Sequence, residues 1–371
     1  MAGPAFSETV YTTFERHAVI ALVAVSFLSL VALLYLLVTI ITYSKKYANT
    51  HFLLYFLCLL LADVMLSLGS VMSIAWVKSG GVYDGAFCAA QGGIKQGGSI
   101  AAAFWNFVIS WQVFNMLFRR QDTPKAVRWG VVFLVWSFVF IIVFVGPVAL
   151  ENEARGHFFG ISGAWCWITQ RYQSERILME YLFELLSVFA SSVLYTATLL
   201  RARGNVLRVE GRWKLRFLPA KESWKLEFAR DFTDSASLRL VQHMIWYPAV
   251  YAICILPIVV VRMCSIVGLD PPFAVTAVAA CIFNLSGFVD VVLFFTMHRV
   301  FPEPESLPVF ARRKTIDPSV IQTGITPFTL NLSEPDIPEK AEVHCGLEKT
   351  LERRGSISAA SINSLTPLRA S

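Results

Sequence analysis

The sequence predicts an all-α membrane protein, a bundle of seven transmembrane helices with the N-terminus outside and a disordered cytoplasmic C-terminal tail. Of its 371 residues, 56% are hydrophobic and only 16% are charged, which is far more apolar than a soluble domain of this size. Seven stretches nearly free of charge are long enough to cross a bilayer. Basic residues also lie mainly in alternate loops, as expected of a polytopic chain.

The distribution of Lys and Arg predicts the orientation. Most of the 32 basic residues follow the first, third and fifth apolar stretches or lie in the tail. Because basic loops stay in the cytoplasm, residues 1–16 are predicted to be an extracellular N-terminus. The predicted seven-transmembrane domain then covers 17–298.

The first three spans follow from runs with little charge. Residues 17–44 contain no Lys, Arg, Asp or Glu, so the first span covers about 18–43. The second covers about 52–77 and is interrupted only by Asp63, whose charge near mid-membrane would cost about 2.5 to 3.5 kcal/mol. The third, about 92–118, carries several amide and hydroxyl side chains, so we expect it inside the bundle.

The last four spans complete the bundle. They cover about 129–150, 177–200, 240–263 and 272–297. The sixth contains Pro248 and Pro257, and each proline removes a backbone donor and crowds the carbonyl four residues earlier, so the helix must bend. We therefore predict both prolines to be hinges of a moving helix.

Two cytoplasmic segments are predicted outside the bundle. Residues 201–239 form a basic third loop with interspersed aromatic residues, suited to docking a cytoplasmic partner or anionic membrane lipid. Residues 299–371 are rich in Pro, Ser and Thr, which predicts a disordered tail. There Ser356 and Thr315 follow paired arginines, a pattern that basophilic kinases accept, so both are predicted phosphorylation sites of a tail kinase.

Two cysteines lie in loops predicted to face an oxidising compartment. Cys88 precedes the third span, and Cys166 lies in the long loop between spans four and five, so a disulfide is chemically allowed. It would hold the loop as a lid or wall over an outward-facing cavity. Two unpaired thiols are the alternative. No cysteine or histidine spacing suits a metal site, and no cofactor is predicted.

Asp63, Asn284 and Asp290 are polar groups in otherwise apolar spans two and seven. Their distances from the inner ends of the spans place the two carboxyl groups at similar depth. Paired carboxylates at low dielectric invite a proton or a cation between them, which favours a two-state polar switch. Static hydrogen bonding that fixes helix packing is the other interpretation.

Charged residues gather at the outer ends of spans three, five and six. Glu180 and Glu184 lie four positions apart and share a helix face. Together with Lys95 and Arg262 they could clamp a small polar ligand, or they could form salt bridges at the rim of the bundle. The candidate ligand-binding residues are Gln91, Lys95, Gln96, Trp105, Asn106, Glu180, Glu184 and Arg262.

No motif predicts an enzyme. The sequence has no Ser/His/Asp arrangement, HExxH motif or glycine-rich phosphate loop. Because the basic residues lie in alternate loops rather than in one patch, no nucleic acid partner is expected.

The layout of residues 15–300 resembles that of G-protein-coupled receptors, and four short stretches resemble the fungal nutrient-sensing receptors and slime-mould cAMP receptors. These stretches are Leu-Ala-Asp at 61–63, Trp-Cys-Trp-Ile at 165–168, Leu-Leu-Arg-Ala-Arg-Gly at 199–204 and Tyr-Pro-Ala-Val-Tyr at 247–251. The resemblance implies that ligand binding rearranges helices five, six and seven and opens a cytoplasmic cleft for a heterotrimeric G protein, commonly in cAMP and protein kinase A signalling. It also implies a disulfide between Cys88 and Cys166.

The sequence departs from the largest receptor class in two places. The third span ends without an acidic-Arg-Tyr triplet, and the seventh has no Asn-Pro-x-x-Tyr motif. The activation locks of that class are therefore not transferred to Arg119 or Asp290.

These patterns together predict a plasma-membrane receptor that senses a small polar extracellular molecule, such as a sugar or a cyclic nucleotide. The residues predicted to face the G protein are Arg119, Arg120, Arg201 and Arg203. The alternative is a seven-helix transporter or channel that uses Asp63 and Asp290. The absence of internal repeats and the long basic third loop favour the receptor.

Overall fold

The structure of the chain is a computed structural model. The structure describes residues 8–43, 53–119, 123–202, 205–209, 212–215, 246–269 and 271–300. The predicted residues Arg120, Arg203, Thr315 and Ser356 lie outside these ranges. So do most of the predicted third loop and, beyond Val300, the predicted tail.

The described chain forms a helical bundle, and the prediction of seven transmembrane helices is confirmed. The helices are α1 Thr13–Thr42, α2 Leu53–Val71, α3 Ile74–Ser79, α4 Ala86–Val113, α5 Lys125–Val145, α6 Gln173–Arg176, α7 Leu182–Ala202, α8 Trp246–Ile266, α9 Phe273–Asn284 and α10 Ser286–Val300. Spans two, five and seven are each built from consecutive helices. Six spans among the described residues are apolar and long enough to cross a membrane by composition alone.

The exception is the third span, α4, which is long but more polar. Its amide and hydroxyl side chains, among them Gln96, Ser99 and Asn106, are buried in the bundle. This is the position expected of the least apolar span. It begins at Ala86, earlier than predicted, and ends in a π-helical turn at Phe114–Arg119.

Glycine allows α4 to approach α2 closely. A Cβ atom on Gly98 would lie 2.6 Å from the backbone nitrogen of Leu66 and 3.1 Å from the carbonyl oxygen of Ala62. The two backbones are therefore in contact, as is common where small residues mediate helix packing in membranes. Any larger residue at Gly98 must push the two helices apart.

Several spans contain irregular turns. Pro257 lies inside α8, as the sequence predicts, whereas Pro248 lies in the first turn of that helix as described. Span four ends in a π-helical turn at Gly146–Leu150, and span five begins with one at Ile177–Tyr181. Span seven is interrupted at Leu285.

Short strands cap the end of the bundle that is predicted to face outward. Strand β1, Glu8–Val10, pairs antiparallel with β2, Gly81–Tyr83. Strand β3, Phe159–Ile161, pairs antiparallel with β4, Cys166–Ile168. The predicted extracellular segment 1–16 thus contains a strand, and α1 already begins within it.

The predicted third loop, 201–239, also contains regular structure. Its first residues close α7, and strands β5, Val206–Val209, and β6, Arg212–Leu215, form an antiparallel hairpin.

The disulfide between Cys88 and Cys166 is present and attaches the β3–β4 hairpin to the start of α4. We call this hairpin, residues 159–168, the lid. Both sulfur-bearing residues are fully buried. The expectation that the loop is held over the third span is confirmed.

Tyr11 links the N-terminal strand to the lid. Its hydroxyl donates a 2.6 Å hydrogen bond to the carbonyl oxygen of Ala164, which lies between β3 and β4. Burial, and secondarily the charge of Glu15, raises the pKa of Tyr11 far above its ordinary value. The hydroxyl therefore stays protonated and remains a donor.

We expect Tyr11→Phe to destabilise the outer cap modestly. The change removes one hydrogen bond and leaves the Ala164 carbonyl without this donor, at a cost of about 0.5 to 1.5 kcal/mol. Thermal unfolding of the purified protein in detergent measures the loss. Tyr43→Phe, at an exposed site after α1, is the control; an equal shift for both variants would contradict the link.

Candidate ligand site

A small cavity lies beneath the lid, between spans two, three, five, six and seven. Its volume is about 60 Å³, enough for roughly four water-sized groups. The lining residues are Leu66, Lys95, Ser99, Trp165, Trp167, Glu180, Tyr181, Glu184, Ile258, Arg262, Ala280, Phe283 and Asn284. The four charged residues singled out from the sequence, Lys95, Glu180, Glu184 and Arg262, are all among them.

Two indole rings of the lid form the outer wall of the cavity. Trp165 and Trp167 flank the disulfide cysteine and are both buried. Because alternate residues of a strand project to the same side, the two rings point together into the bundle. The sequence analysis did not assign them to the site, although two tryptophans around a bridged cysteine are a signal for it.

Three cations hold these rings from three different spans. The ammonium of Lys95 lies 4.9 Å from the ring centroid of Trp165. The guanidinium of Arg262 lies 5.3 Å from Trp165 and 5.4 Å from Trp167. Arg176 lies 4.8 Å from Trp167. Such cation–π contacts contribute about 0.5 to 2 kcal/mol each, more as water is excluded.

Arg176, also missed in the sequence analysis, has a mainly structural role. Its guanidinium donates to the carbonyl oxygen of Ile168 and, at 2.9 Å, to the hydroxyl of Ser162. It thereby holds the end of strand β4 and the residue after strand β3 against the start of span five. Its donors are used within the protein, whereas Lys95 and Arg262 line the cavity.

Two carboxyl groups also line the cavity. Glu180 accepts a 2.8 Å hydrogen bond from the indole nitrogen of Trp167, and Glu184 accepts one from the hydroxyl of Ser99. Both glutamates are buried, at 5% and 3% exposure. Their spacing of four residues places them on one helix face, as predicted, and that face is turned towards the cavity.

The other four candidate ligand residues do not line the cavity. Gln91 is engaged in structural hydrogen bonds with Trp76, Gly69 and Ser73. Trp105 packs on Tyr55 in the core.

Asn106 and Gln96 are the other two candidate ligand residues that do not line the cavity. Asn106 donates to the carbonyl oxygen of Ala102 within its own helix. Gln96 is buried with neither amide atom hydrogen-bonded. Among the residues of α4, Lys95 and Ser99 line the cavity. A ligand-binding role for the other four candidates stays a prediction.

The polar residues of spans two and seven meet below the cavity. Asp63 and Asp290 are both buried, and their carboxyl groups lie close enough to interact electrostatically. Asn284 lines the cavity and donates to the carbonyl oxygen of Ala280. Gly287 permits the close approach, since its Cβ would lie 3.2 Å from that of Asp63. Their role as a switch stays a prediction.

Two predicted G-protein-facing residues lie within the described chain. Arg119 is exposed at the end of the third span and donates to the side chain of Asn115. Arg201 lies at the end of the fifth span, 4.9 Å above the ring of Phe118. They therefore share the end of the bundle opposite the lid.

Glu151 anchors the start of the lid segment outside the membrane. It accepts hydrogen bonds of 2.9 Å from the backbone N–H of Phe158 and from His157. Partial burial tends to raise the pKa of Glu151, but these two partners outweigh it and lower the pKa below its ordinary value.

We expect the stability provided by Glu151 to be lost in acid. Because its pKa is lower in the folded protein than in the unfolded one, the contribution is present above the unfolded pKa of about 4.3 and disappears as pH falls through the folded pKa. Glu151→Gln should therefore lower the free energy of unfolding at pH 7 by less than about 1 kcal/mol, which appears as a lower unfolding temperature. Near pH 3 the variant and wild type should unfold at the same temperature. A difference that persists at pH 3 would refute the assignment.

The comparisons with known proteins concern the same part of the chain. Residues 10–208 match the model of the slime mold cyclic AMP receptor family. A comparison with curated protein sequences found no match. Among solved structures, squid rhodopsin is similar in fold, with a TM-score of 0.51 and 13% identity over 79% of this chain and 87% of that one.

Proposed function

Because the chain belongs to the slime mold cyclic AMP receptor family, we propose that this receptor-like multi-pass membrane protein is a plasma-membrane receptor, not an enzyme, that senses a small polar extracellular molecule. The cavity beneath the lid is the proposed sensing site. Activation of a heterotrimeric G protein, with cAMP and protein kinase A signalling downstream, is the proposed output.

The observation that carries this proposal is the placement of the cavity. Its charged lining comes from spans three, five and six, and its floor includes Asn284 of span seven. A ligand there would contact spans two, three, five, six and seven at once. Since a ligand shifts an equilibrium only by its differential affinity for two states, contact with several helices is what such a sensor needs.

We propose that span six transmits the change. Arg262 lies at the cavity and Pro257 lies less than two turns before it in α8, where a missing backbone hydrogen bond weakens the helix. Movement of Arg262 would thus bend the helix at Pro257. The pair Asp63 and Asp290, just below, is the proposed polar switch between two packings of spans two and seven.

The direct experiment is guanine nucleotide exchange on purified heterotrimeric G proteins by the protein reconstituted in lipid vesicles. Catalysed exchange that depends on an added sugar, amino acid or cyclic nucleotide supports the proposal. Folded protein that catalyses no exchange with any G-protein class, but moves solute across vesicles, would favour the transporter alternative.

In that assay we expect Pro257→Ala to reduce ligand-driven exchange by at least about threefold while surface expression is unchanged. Alanine restores the missing helical hydrogen bond and stiffens the helix at the bend. Pro272→Ala is the matched control because that proline lies just before α9, outside the helix. Equal exchange by wild type and Pro257→Ala would remove the hinge from the proposal.

A further inference from the structure

The cavity contains charges of both signs that do not pair with each other. Lys95 and Arg262 line it together with Glu180 and Glu184. In the described part of the chain, neither cation forms an ion pair with either carboxylate. The cations instead rest on indole rings, and each carboxylate accepts one neutral hydrogen bond.

This arrangement is costly unless something completes it. Buried charges are stabilised only when opposite charges and further hydrogen bonds satisfy them. A cation–π contact uses the face of a ring and leaves the N–H donors of Lys95 and Arg262 directed elsewhere. Each carboxylate likewise retains acceptor capacity beyond its single partner.

A ligand of one sign would satisfy only half of this set. An anion would engage Lys95 and Arg262 but would meet Glu180 and Glu184 across the same small space. A simple amine would engage Glu180 and Glu184 but would be repelled by Lys95 and Arg262. A molecule that carries both an ammonium and a carboxylate could engage the cations and the carboxylates at once.

The size of the cavity limits the ligand further. A volume of about 60 Å³ accommodates roughly four or five non-hydrogen groups, which is the size of an amino acid's shared ammonium, Cα and carboxylate unit. The aromatic wall of Trp165 and Trp167 also suits an ammonium group.

We propose that the cavity binds a zwitterion of free amino acid type, its carboxylate held by Lys95 and Arg262 and its ammonium by Glu180, Glu184 and the indole rings. This inference rests on the proposed function and specifies the chemistry of the same site.

The experiment is a thermal-shift titration of the purified full chain in detergent. The probes are the common L-amino acids, matched amines and carboxylic acids that carry only one of the two charges, and cyclic AMP. We expect saturable stabilisation by at least one amino acid and none by its amine or acid counterpart. Stabilisation by the acid alone, or by cyclic AMP alone, would overturn the proposal, as would no shift with any amino acid.

Charge-neutralising variants test the cations and the carboxylates separately. Arg262→Gln and Glu184→Gln should each weaken binding of the responding amino acid at least about tenfold. Lys78→Gln and Glu153→Gln, at exposed outer positions, are the matched controls and should bind as wild type. If Glu184→Gln fails to fold, Glu184→Asp replaces it. This variant retains the charge but has a shorter side chain, so it should weaken binding less than Arg262→Gln does. Equal binding by wild type and Arg262→Gln would overturn the assignment.

Nucleotide exchange distinguishes failure of this inference from failure of the proposed function. Exchange driven by another ligand, without amino acid binding, would overturn the zwitterion site and leave the receptor proposal standing. Amino acid binding without exchange on any G protein would support the zwitterion site and overturn the proposed G-protein output.

Discussion

Replacing Cys166 with Ser should lower the unfolding free energy by about 2 to 5 kcal/mol, the largest effect that we expect from any single change in the outer cap. The bridge to Cys88 spans 78 residues of sequence, so its loss frees a long loop in the unfolded chain. It also releases the lid that carries Trp165 and Trp167. Ligand binding beneath the lid should be lost along with stability.

Thermal unfolding in detergent measures this effect, and reducing agent should shift wild type towards the variant. Cys264→Ser is the control because that thiol is free and half-buried on α8. If Cys166→Ser unfolds at the wild-type temperature, the bridge does not hold the cap.

Replacing Gly98 with Ala should destabilise the bundle by about 1 to 3 kcal/mol, although only one methyl group is added. The new Cβ would lie 2.6 Å from the backbone nitrogen of Leu66, which cannot rotate away as a side chain could. Spans two and three must therefore separate.

The neighbouring glycine provides a closely matched comparison. A Cβ on Gly97 would come no nearer than 3.3 Å, and the atom that it meets is the flexible end of Met65. Gly97→Ala should therefore be neutral or stabilising, since alanine is favoured over glycine within a helix by about 0.5 to 1 kcal/mol. Equal unfolding temperatures for the two variants would show that the backbone contact is not a constraint.

Much of the fold could be predicted from charge and hydropathy alone. Spans such as α1 and α5 are long and nearly uncharged, and the bilayer permits few structures besides helices for such stretches. The details that depend on packing could not. Neither the interruption at Leu285 nor the contact at Gly98 has a composition signal, because both depend on which helices become neighbours.

Part of the candidate site could also be predicted from charge and hydropathy. Charged residues in apolar spans are conspicuous, and Lys95, Glu180, Glu184 and Arg262 do meet at one cavity. Gln91 lies four residues before Lys95, but its side chain is engaged in hydrogen bonds with Trp76, Gly69 and Ser73. Which face of α4 turns towards the cavity depends on the packing of its neighbours.

The order in which the outer cap can be assembled follows from its distribution along the chain. Strand β1 is synthesised first, but its partner β2 emerges only after the second span, and the lid emerges after the fourth. In synthesis from the N-terminus, β1 must therefore wait on the outer side of the membrane while later segments are translocated. The outer cap is complete only when Cys166 has crossed the membrane and been oxidised, so disulfide formation is a late step in its assembly.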